Sequence, residues 1–556
     1  MANSYAIGLD YGTNSVRALV VDTANGAELG THVFSYPHGE AGIILDPNDP
    51  NAARQHPQDY LDGAVAAIRG ALDDATKSAG FDATRIVGLG VDTTGSTPIP
   101  LNAEGVPLAL TDAFKDHPAA MAWLWKDHTG HAEAAEITQL AARQHPEYLA
   151  KCGGGYSSEW FWSKLLRCAR VAPKVFNAAH TWVEHADWMP AILCGITAPA
   201  GIKRCICAAG HKAMFHPDWG GYPSAEFLGA LDPGLARVRA TLPNTAYAVG
   251  HVAGRLTAEW AARLGLPEGT PVSAGAFDAH LGAVGSGIGP GVLVKIIGTS
   301  ACDIMTAPLA QAVPDIPGLC GIVPESVLPG AYGFEAGQSA VGDLFNWFVN
   351  VVQPGNGSHE SLTLGAEQLK PGESGLLALD WNNGNRTILI DPRLTGLMLG
   401  MTLHSTPAEI YRALVEATAF GARTIIGRLE EYGVQVDRIV CCGGISAKSR
   451  MVMQIYADVT GRPMEISRSA QTCALGAAMA GAVAGGAHPD FAAASAAMTA
   501  VQETRFEPIP ANAAVYDRLY GLYRRLHDLF GATSLAENQF DVMKTLLAIR
   551  DEARGA

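Results

Sequence analysis

Asp10 closes an apolar run, IGLD, and is followed at once by Tyr11-Gly12-Thr13-Asn14-Ser15 and a second apolar run, VRALVVD. A glycine in a tight turn lets backbone N–H groups approach a ligand closely, and Thr and Asn beside it add hydroxyl and amide donors. That combination suits phosphate oxygens. A carboxylate at the end of the adjoining strand repels phosphate unless a cation lies between them. Asp10 beside Gly12, Thr13 and Asn14 therefore points to a Mg²⁺-nucleotide site, with Asp10 holding the metal or its water shell. Arg17, four residues past Thr13, is placed to reach the same phosphates. Taken alone, the stretch also fits an ordinary hairpin with an exposed Asp.

The pattern recurs. VLVKIIGTSACDIMT, from Val292 to Thr306, is again an apolar run, a Gly298-Thr299-Ser300 turn and a second strand-like run. A third glycine-rich turn, CCGGISAKS, follows a strand and opens a helix, so Gly443 and Gly444 offer helix N-terminal amides to a nucleotide. By itself that joint also reads as a plain strand-to-helix loop. Three such turns describe a nucleotide clamped between two domains. No G-x-x-x-x-G-K-[ST] loop is present in the sequence, nor a protein-kinase H-R-D set. Gly12 and Gly298 are expected to exclude a Cβ, with positive φ as part of the reason.

The elements that must position these turns read as strands alternating with helices, hence an α/β protein with mixed or parallel sheets. Pro57–Ala75 has the apolar spacing of a helix and Arg85–Thr93 that of a strand. Pro407–Gly433 is a long helix stopped by Gly433, Arg438–Gly444 a strand, and another helix begins near Ser449. Each strand–Gly-Thr–strand unit opens a domain as a β-hairpin. The Gly/Pro-rich stretch Gly287–Leu293 places the boundary, giving domains of residues 1–288 and 289–556. Residues 353–375 read as an exposed excursion. The last fifty residues carry a terminal amphipathic helix that packs back on the body.

The chain has 556 residues, too many for one core, with 48% hydrophobic and 17% charged residues. A net charge of -15 argues against nucleic-acid binding through a broad basic surface. The 10 cysteines do not form a disulfide scaffold, and Cys205-x-Cys207 has no matching second pair for zinc. The start MANSYAIGLDYG lacks a signal-peptide pattern, and the Ala/Gly-rich run Cys473–Gly486 reads as a closely packed buried helix and not a membrane span. A soluble, cytoplasmic protein with no membrane or nucleic-acid partner is expected. A homodimer is the assembly considered, with oligomeric state left open.

DYGTNSVR, GTSA at Gly298–Ala301 and CCGG resemble the first phosphate, second phosphate and adenosine motifs of the FGGY family of carbohydrate kinases, within the actin-like ATPase superfamily. The resemblance runs nearly the whole chain. GLGVDTTGSTPIPL (Gly88–Leu101), LWKDHT (Leu124–Thr129), GGGYSSEWFWSK (Gly153–Lys164), AAGHKAMF (Ala208–Phe215), AGAFDAHLGAVGSG (Ala274–Gly287), GFEAGQSAVGDLFNW (Gly333–Trp347) and MQIYADVTGRP (Met453–Pro463) draw it towards the members acting on L-ribulose. It implies two actin-like, ribonuclease H-like domains with a nucleotide and sugar cleft between them. It also implies ATP and Mg²⁺ as cofactors and phosphoryl transfer to the 5-hydroxyl of L-ribulose in arabinose breakdown. Asp278 in GAFDAH matches the catalytic aspartate, which would orient the hydroxyl and accept its proton. Trp125, Lys212 and Glu335 match sugar-contacting positions, and Ser96 borders the same loop. Without the resemblance, Asp278 reads as a helix N-cap, Trp125 as core packing, Lys212 as a solvated charge, Glu335 as a surface ion pair and Ser96 as a turn serine. Ser449 stands where related sequences carry an Asn near adenine, which puts that contact in doubt. The alternatives are a family member acting on D-ribulose, D-xylulose or glycerol, and a nucleotide-driven conformational switch, against which Asp278 and a polar sugar pocket argue.

Overall fold

Two seven-stranded sheets carry the chain in the computed structural model, which describes residues 4–353, 357–541 and 543–545. In the first, β1 (Tyr5–Tyr11), β2 (Ser15–Asp22) and β3 (Glu28–Ser35) form an antiparallel meander. Helix α1 (Pro57–Ala75) covers its outer strands. His56 caps the helix, Pro57 takes the first turn, and Tyr60, Ala64, Ala67, Ile68 and Ala71 form the buried stripe. β4 (Ile86–Thr93) runs parallel to β1. After β4 the chain leaves for an aromatic-rich excursion with its own core, including Trp123, Trp162 and Trp182 and helices α2 (Phe161–Val171) and α3 (Ile206–Ala213). It returns as β5 (Val252–Arg255), β6 (Pro271–Ser273) and the short β7 (Ala276–Phe277), which pairs parallel with β4. Helix α4 (Asp278–Gly285) follows directly.

The second sheet contains β8 (Val292–Ile297), β9 (Ala301–Pro308), β10 (Gly321–Pro324), β11 (Ala331–Gln338), β12 (Arg438–Cys442), β13 (Met464–Ser467) and β14 (Val501–Phe506), in the order β10-β11-β9-β8-β12-β13-β14. The helices of this part of the chain include α5 (Gly342–Trp347), α6 (His359–Glu367), α7 (Pro407–Glu431), α8 (Gly444–Lys448), α9 (Arg450–Thr460), α10 (Thr472–Ala484) and α11 (Pro510–Gly531). α11 packs back as the sequence implies: Tyr516 reaches the buried Arg412–Glu416 pair on α7, donating to Glu416 at 2.8 Å. The excursion at 353–375 is largely exposed, as its Gly, Pro and Ser content suggests, and is anchored at two points. Residues 354–356 lie outside the described part, but α6 is closed by a Ser358–Ser361 capping box and buries Leu362 and Ala366 against the body. Among the described residues, no helix is long and apolar enough to cross a membrane.

The Ala/Gly-rich α10 joins the two halves. It lies on β1 and β4 of the first sheet and against α4. Gly8, Gly88 and Gly90 permit this, since a Cβ at these positions would sit 1.8 to 1.9 Å from carbonyl oxygens of α10. Gly476 and Leu281 make an equally close helix–helix approach. A single apolar cluster therefore draws residues from both sheets, α4 and α10. We expect Gly90→Val to lower the unfolding free energy by about 3 kcal/mol or more, because backbone has to move. Gly521→Ala, in α11 with nothing near the added methyl, should raise it by about 0.5–1 kcal/mol. Chemical denaturation of both variants checks the pair.

Candidate active site

Register brings three carboxylates to one edge of the first sheet. Asp10 on β1 lies opposite Arg17 on β2 and, on its other side, opposite Asp92 on β4. β7 pairs with β4 through Asp92 and Thr93, so the next residue after β7, Asp278, begins α4 at the same carboxyl ends of parallel strands. In α/β sheets this edge is where ligands bind. Asp278 is the first helical residue, its Oδ1 accepting from the Ala279 amide at 2.6 Å, while the N-cap position belongs to Phe277.

Crowding of these carboxyls opposes the ionisation of Asp92 and Asp278. Burial, then Asp10, pushes Asp278 up to about 7. Burial, then Asp10 and Asp278, drives Asp92 well above the usual carboxylate range. Burial also raises Asp10, opposed by its hydrogen bond with Asp92 and by Arg17, whose guanidinium stands 3.8 Å away. Asp92 is fully buried, and no hydrogen-bond donor outside this carboxyl cluster serves either of its oxygens. Donor-poor carboxylate oxygens at a strand edge fit a hard divalent cation such as Mg²⁺. Asp92 was not singled out in the sequence as a ligand. Its signal was its place: VDT ends its strand as LDY ends β1. Asp303, by contrast, is neutralised inside the second sheet by Lys295 at 2.8 Å and belongs to the structure.

Each Gly-Thr turn closes its hairpin with one backbone bond, Gly12 to Ser15 and Gly298 to Ser300, both at 2.9 Å. Neither glycine is left-handed, contrary to the expectation from the turn sequence. A Cβ on Gly12 would lie 3.4 Å from its nearest neighbour and one on Gly298 3.9 Å, so protein packing does not require glycine there. Gly443 differs. Its φ is +96°, and a Cβ would fall 2.5 Å from the Ile297 carbonyl oxygen, which seats the third turn on the end of β8 beside the second. Gly444 opens α8 with open space where a Cβ would sit. Thr13 accepts from the Trp125 indole N–H at 3.0 Å, leaving its own hydroxyl hydrogen to donate. Asn14 holds the Ala41 carbonyl at 2.6 Å. The carbonyls of Gly298 and Thr299 accept from the amides of residues 341–343 at the start of α5. Ser449 caps α9, accepting from the Val452 amide, so its hydroxyl is engaged in the fold.

Between the halves lies a cleft of about 930 Å³, lined by Trp125, Trp160 and Lys212 from the first and by Thr299, Ser300 and Glu335 from the second. Lys212 and Glu335, 123 residues apart, form a buried ion pair at 2.8 and 3.0 Å. Burial pushes Glu335 up, but the Lys212 ammonium, with the Arg386 guanidinium, outweighs it and holds the carboxyl well below its usual range. Arg386 also lines the cleft and was not singled out in the sequence. Ser96 does not reach the cleft wall. It is fully buried, its hydroxyl donates to Glu184, and its carbonyl accepts from Lys164 at 2.7 Å.

Residues 5–285 match the N-terminal domain of the FGGY family of carbohydrate kinases, and residues 293–485 match the C-terminal domain. The chain belongs to that family, and the family implies ATP use. A ribulokinase of Geobacillus thermodenitrificans is 41% identical over 576 residues, covering 100% of this chain and 99% of the relative. One from Mycolicibacterium smegmatis is 41% identical over 562 residues, covering 98% and 97%. Among solved structures, xylulose kinase from Rhodospirillum rubrum superposes with a TM-score of 0.78 at 26% identity, over 95% of this chain and 99% of that one. Glycerol kinase from Plasmodium falciparum, at 14% identity and TM-score 0.76, covers 96% and 99% and shares the fold. The architecture is the two-domain actin-like one.

Proposed function

We propose that this protein is a ribulokinase that transfers the γ-phosphoryl group of ATP to the 5-hydroxyl of L-ribulose, giving L-ribulose 5-phosphate and ADP, as a cytoplasmic step of L-arabinose breakdown. The observation that carries this reading is full-length likeness to ribulokinases, at about 41% identity, in a chain whose cleft presents Trp125, Lys212 and Glu335. We take the chain to divide functionally at residues 288 and 289, the first part supplying Asp278, Trp125 and Lys212 and the second Glu335 and two of the nucleotide turns.

On this reading Asp278 accepts a hydrogen bond from the sugar hydroxyl. It takes the proton as the new O–P bond forms and the bond to the ADP oxygen breaks. Trp125 gives the carbon skeleton a flat wall, Lys212 donates to sugar oxygens and Glu335 accepts from hydroxyls. Thr13, Thr299 and Ser300 donate to phosphate oxygens from opposite sides of the cleft, and Arg17 adds charge at the first turn. The glycine-rich turn at Gly443 and Gly444 takes the adenosine. Asp10 and Asp92 would hold Mg²⁺, which would neutralise phosphate charge when bound.

Assaying ADP release and sugar phosphate across L-ribulose, D-ribulose, D-xylulose and glycerol tests the assignment. L-Ribulose should give the highest kcat/KM, with one sugar phosphate per ADP. Higher kcat/KM with another substrate would reassign the sugar. Release of ADP without sugar phosphate would favour a switch. Because Gly298 has open space around it, Gly298→Ala should change stability by no more than about 0.5 kcal/mol. Its MgATP affinity should nonetheless fall about tenfold, or about 1.4 kcal/mol. Calorimetry alongside melting curves reads both. Unchanged MgATP affinity would remove the turn from the phosphate site.

A further inference from the structure

Behind the Lys212–Glu335 pair lie two histidines that the sugar site does not use. His211 and His280 are both buried, at 2% and 1% exposure, and neither lines the cleft. Their rings approach with centroids 4.6 Å apart. His211 Nδ1 is 3.5 Å from Glu335 Oε2, and His280 Nε2 is 3.8 Å from the same oxygen. His211 Nδ1 and both ring nitrogens of His280 lack a hydrogen-bond partner.

The tautomer of His211 follows from its surroundings. The Ser326 hydroxyl donates its one hydrogen to the Val323 carbonyl, so His211 Nε2, 2.9 Å from that hydroxyl, must be the donor. In the neutral ring Nδ1 then carries a lone pair and points it at a carboxylate. Burial favours the neutral form of both imidazoles. The His211 Nδ1 lone pair, the unpartnered His280 Nε2 and Glu335 Oε2 thus face one another, while Lys212 Nζ donates to both Glu335 oxygens, to Oε2 at 3.0 Å. We propose that His211, His280 and Glu335 form a binding site for a divalent transition ion with a preference for imidazole, of which Zn²⁺ is the probe.

The spacing suits such an ion. Zinc bonds of about 2.0–2.1 Å at tetrahedral angles put neighbouring ligand atoms about 3.3 Å apart. The potential ligand atoms here lie within 4.8 Å of one another, so closure takes small side-chain shifts. Two nitrogens and one carboxylate oxygen leave a fourth position for water. The nearby ammonium disfavours cations in general, and imidazole selects against Mg²⁺, which takes oxygen ligands. The other such cluster among the described residues, His38, His56 and Asp59, is already satisfied. His38 bonds Asp59, and His56 Nδ1 accepts from the Gln58 amide at 3.2 Å. Since Glu335 faces the cleft, bound zinc should also compete with sugar.

Zinc titrated calorimetrically into the nucleotide-free protein in excess Mg²⁺ should bind at about one ion per chain. Zinc-edge X-ray absorption of that wild-type complex should show nitrogen and oxygen at about 2.0–2.1 Å with imidazole scattering. His211→Gln and His280→Gln should each weaken binding about tenfold or more, with His38→Gln unchanged. No binding, a sulfur shell near about 2.3 Å, or undiminished affinity in both variants would overturn the site. The wild-type spectrum decides even if a variant fails to fold. Only the competition arm rests on the proposed sugar placement: zinc that binds as described without displacing L-ribulose would move the sugar and leave the metal site standing.

Discussion

Asp278→Asn should lower kcat by about 10² to 10⁴-fold and leave L-ribulose affinity nearly unchanged. The amide keeps the shape and the start of α4 but has no basic oxygen pair to take the hydroxyl proton. The wild-type enzyme should show an acidic limb in its pH–rate profile, because only ionised Asp278 can act as base. That carboxyl is pushed up to about 7 by burial and then by Asp10, so the rate falls as pH drops below its value. A bound divalent cation favours the ionised form and draws the limb to lower pH, so it should lie at or below about 7 at saturating Mg²⁺. A coupled assay across pH, with sugar binding followed by calorimetry, measures all of this. If Asp278→Asn kept more than about a tenth of kcat, well above what a lost general base leaves, the catalytic assignment would be wrong. Asp303→Asn gives the contrast. It breaks a buried pair with Lys295 inside the second sheet, so it should cost stability first.

Local features were legible because local forces decide them. The Pro57–Ala75 helix has a capping residue, a proline in its first turn and a continuous apolar stripe, and it forms over that span. Both Gly-Thr hairpins, the long helix from Pro407 and the helix after Ser449 form for the same reason. What a single chain conceals is register and partnership. Nothing in VDTTGSTP says that Asp92 stands beside Asp10; that follows only once β1 and β4 pair in parallel. Ser96, four residues later, reads as a loop hydroxyl near the sugar, yet Glu184 and Lys164, distant in sequence, draw it inside. Gly12 and Gly298 read as glycines needed for close approach to phosphate and for a positive φ; neither φ is positive, and protein packing leaves room for a Cβ at both.

The same concealment affected Lys212 and Glu335, which read as separate sugar ligands and prove to be each other's counter-ion. Removing one should therefore cost more than losing a sugar contact. Lys212→Met leaves Glu335 ionised, buried and short of its principal counter-charge, and should destabilise the ligand-free protein by about 3–5 kcal/mol. Glu335→Gln strands the ammonium and should cost a similar amount. In the double variant neither charge is left behind, so the losses should fall short of additivity by about 0.5–3 kcal/mol, the range for contacting residues. Denaturant unfolding of the four proteins without ligand closes this cycle. Additive losses would mean that the pair contributes no coupling and that each side chain acts independently. Kinetics separate a second consequence. The double variant, if it recovers stability, should still bind L-ribulose weakly, because the proposed donor and acceptor for the sugar are gone from the cleft wall. Recovery of both stability and sugar affinity would make the pair structural and remove it from the sugar site.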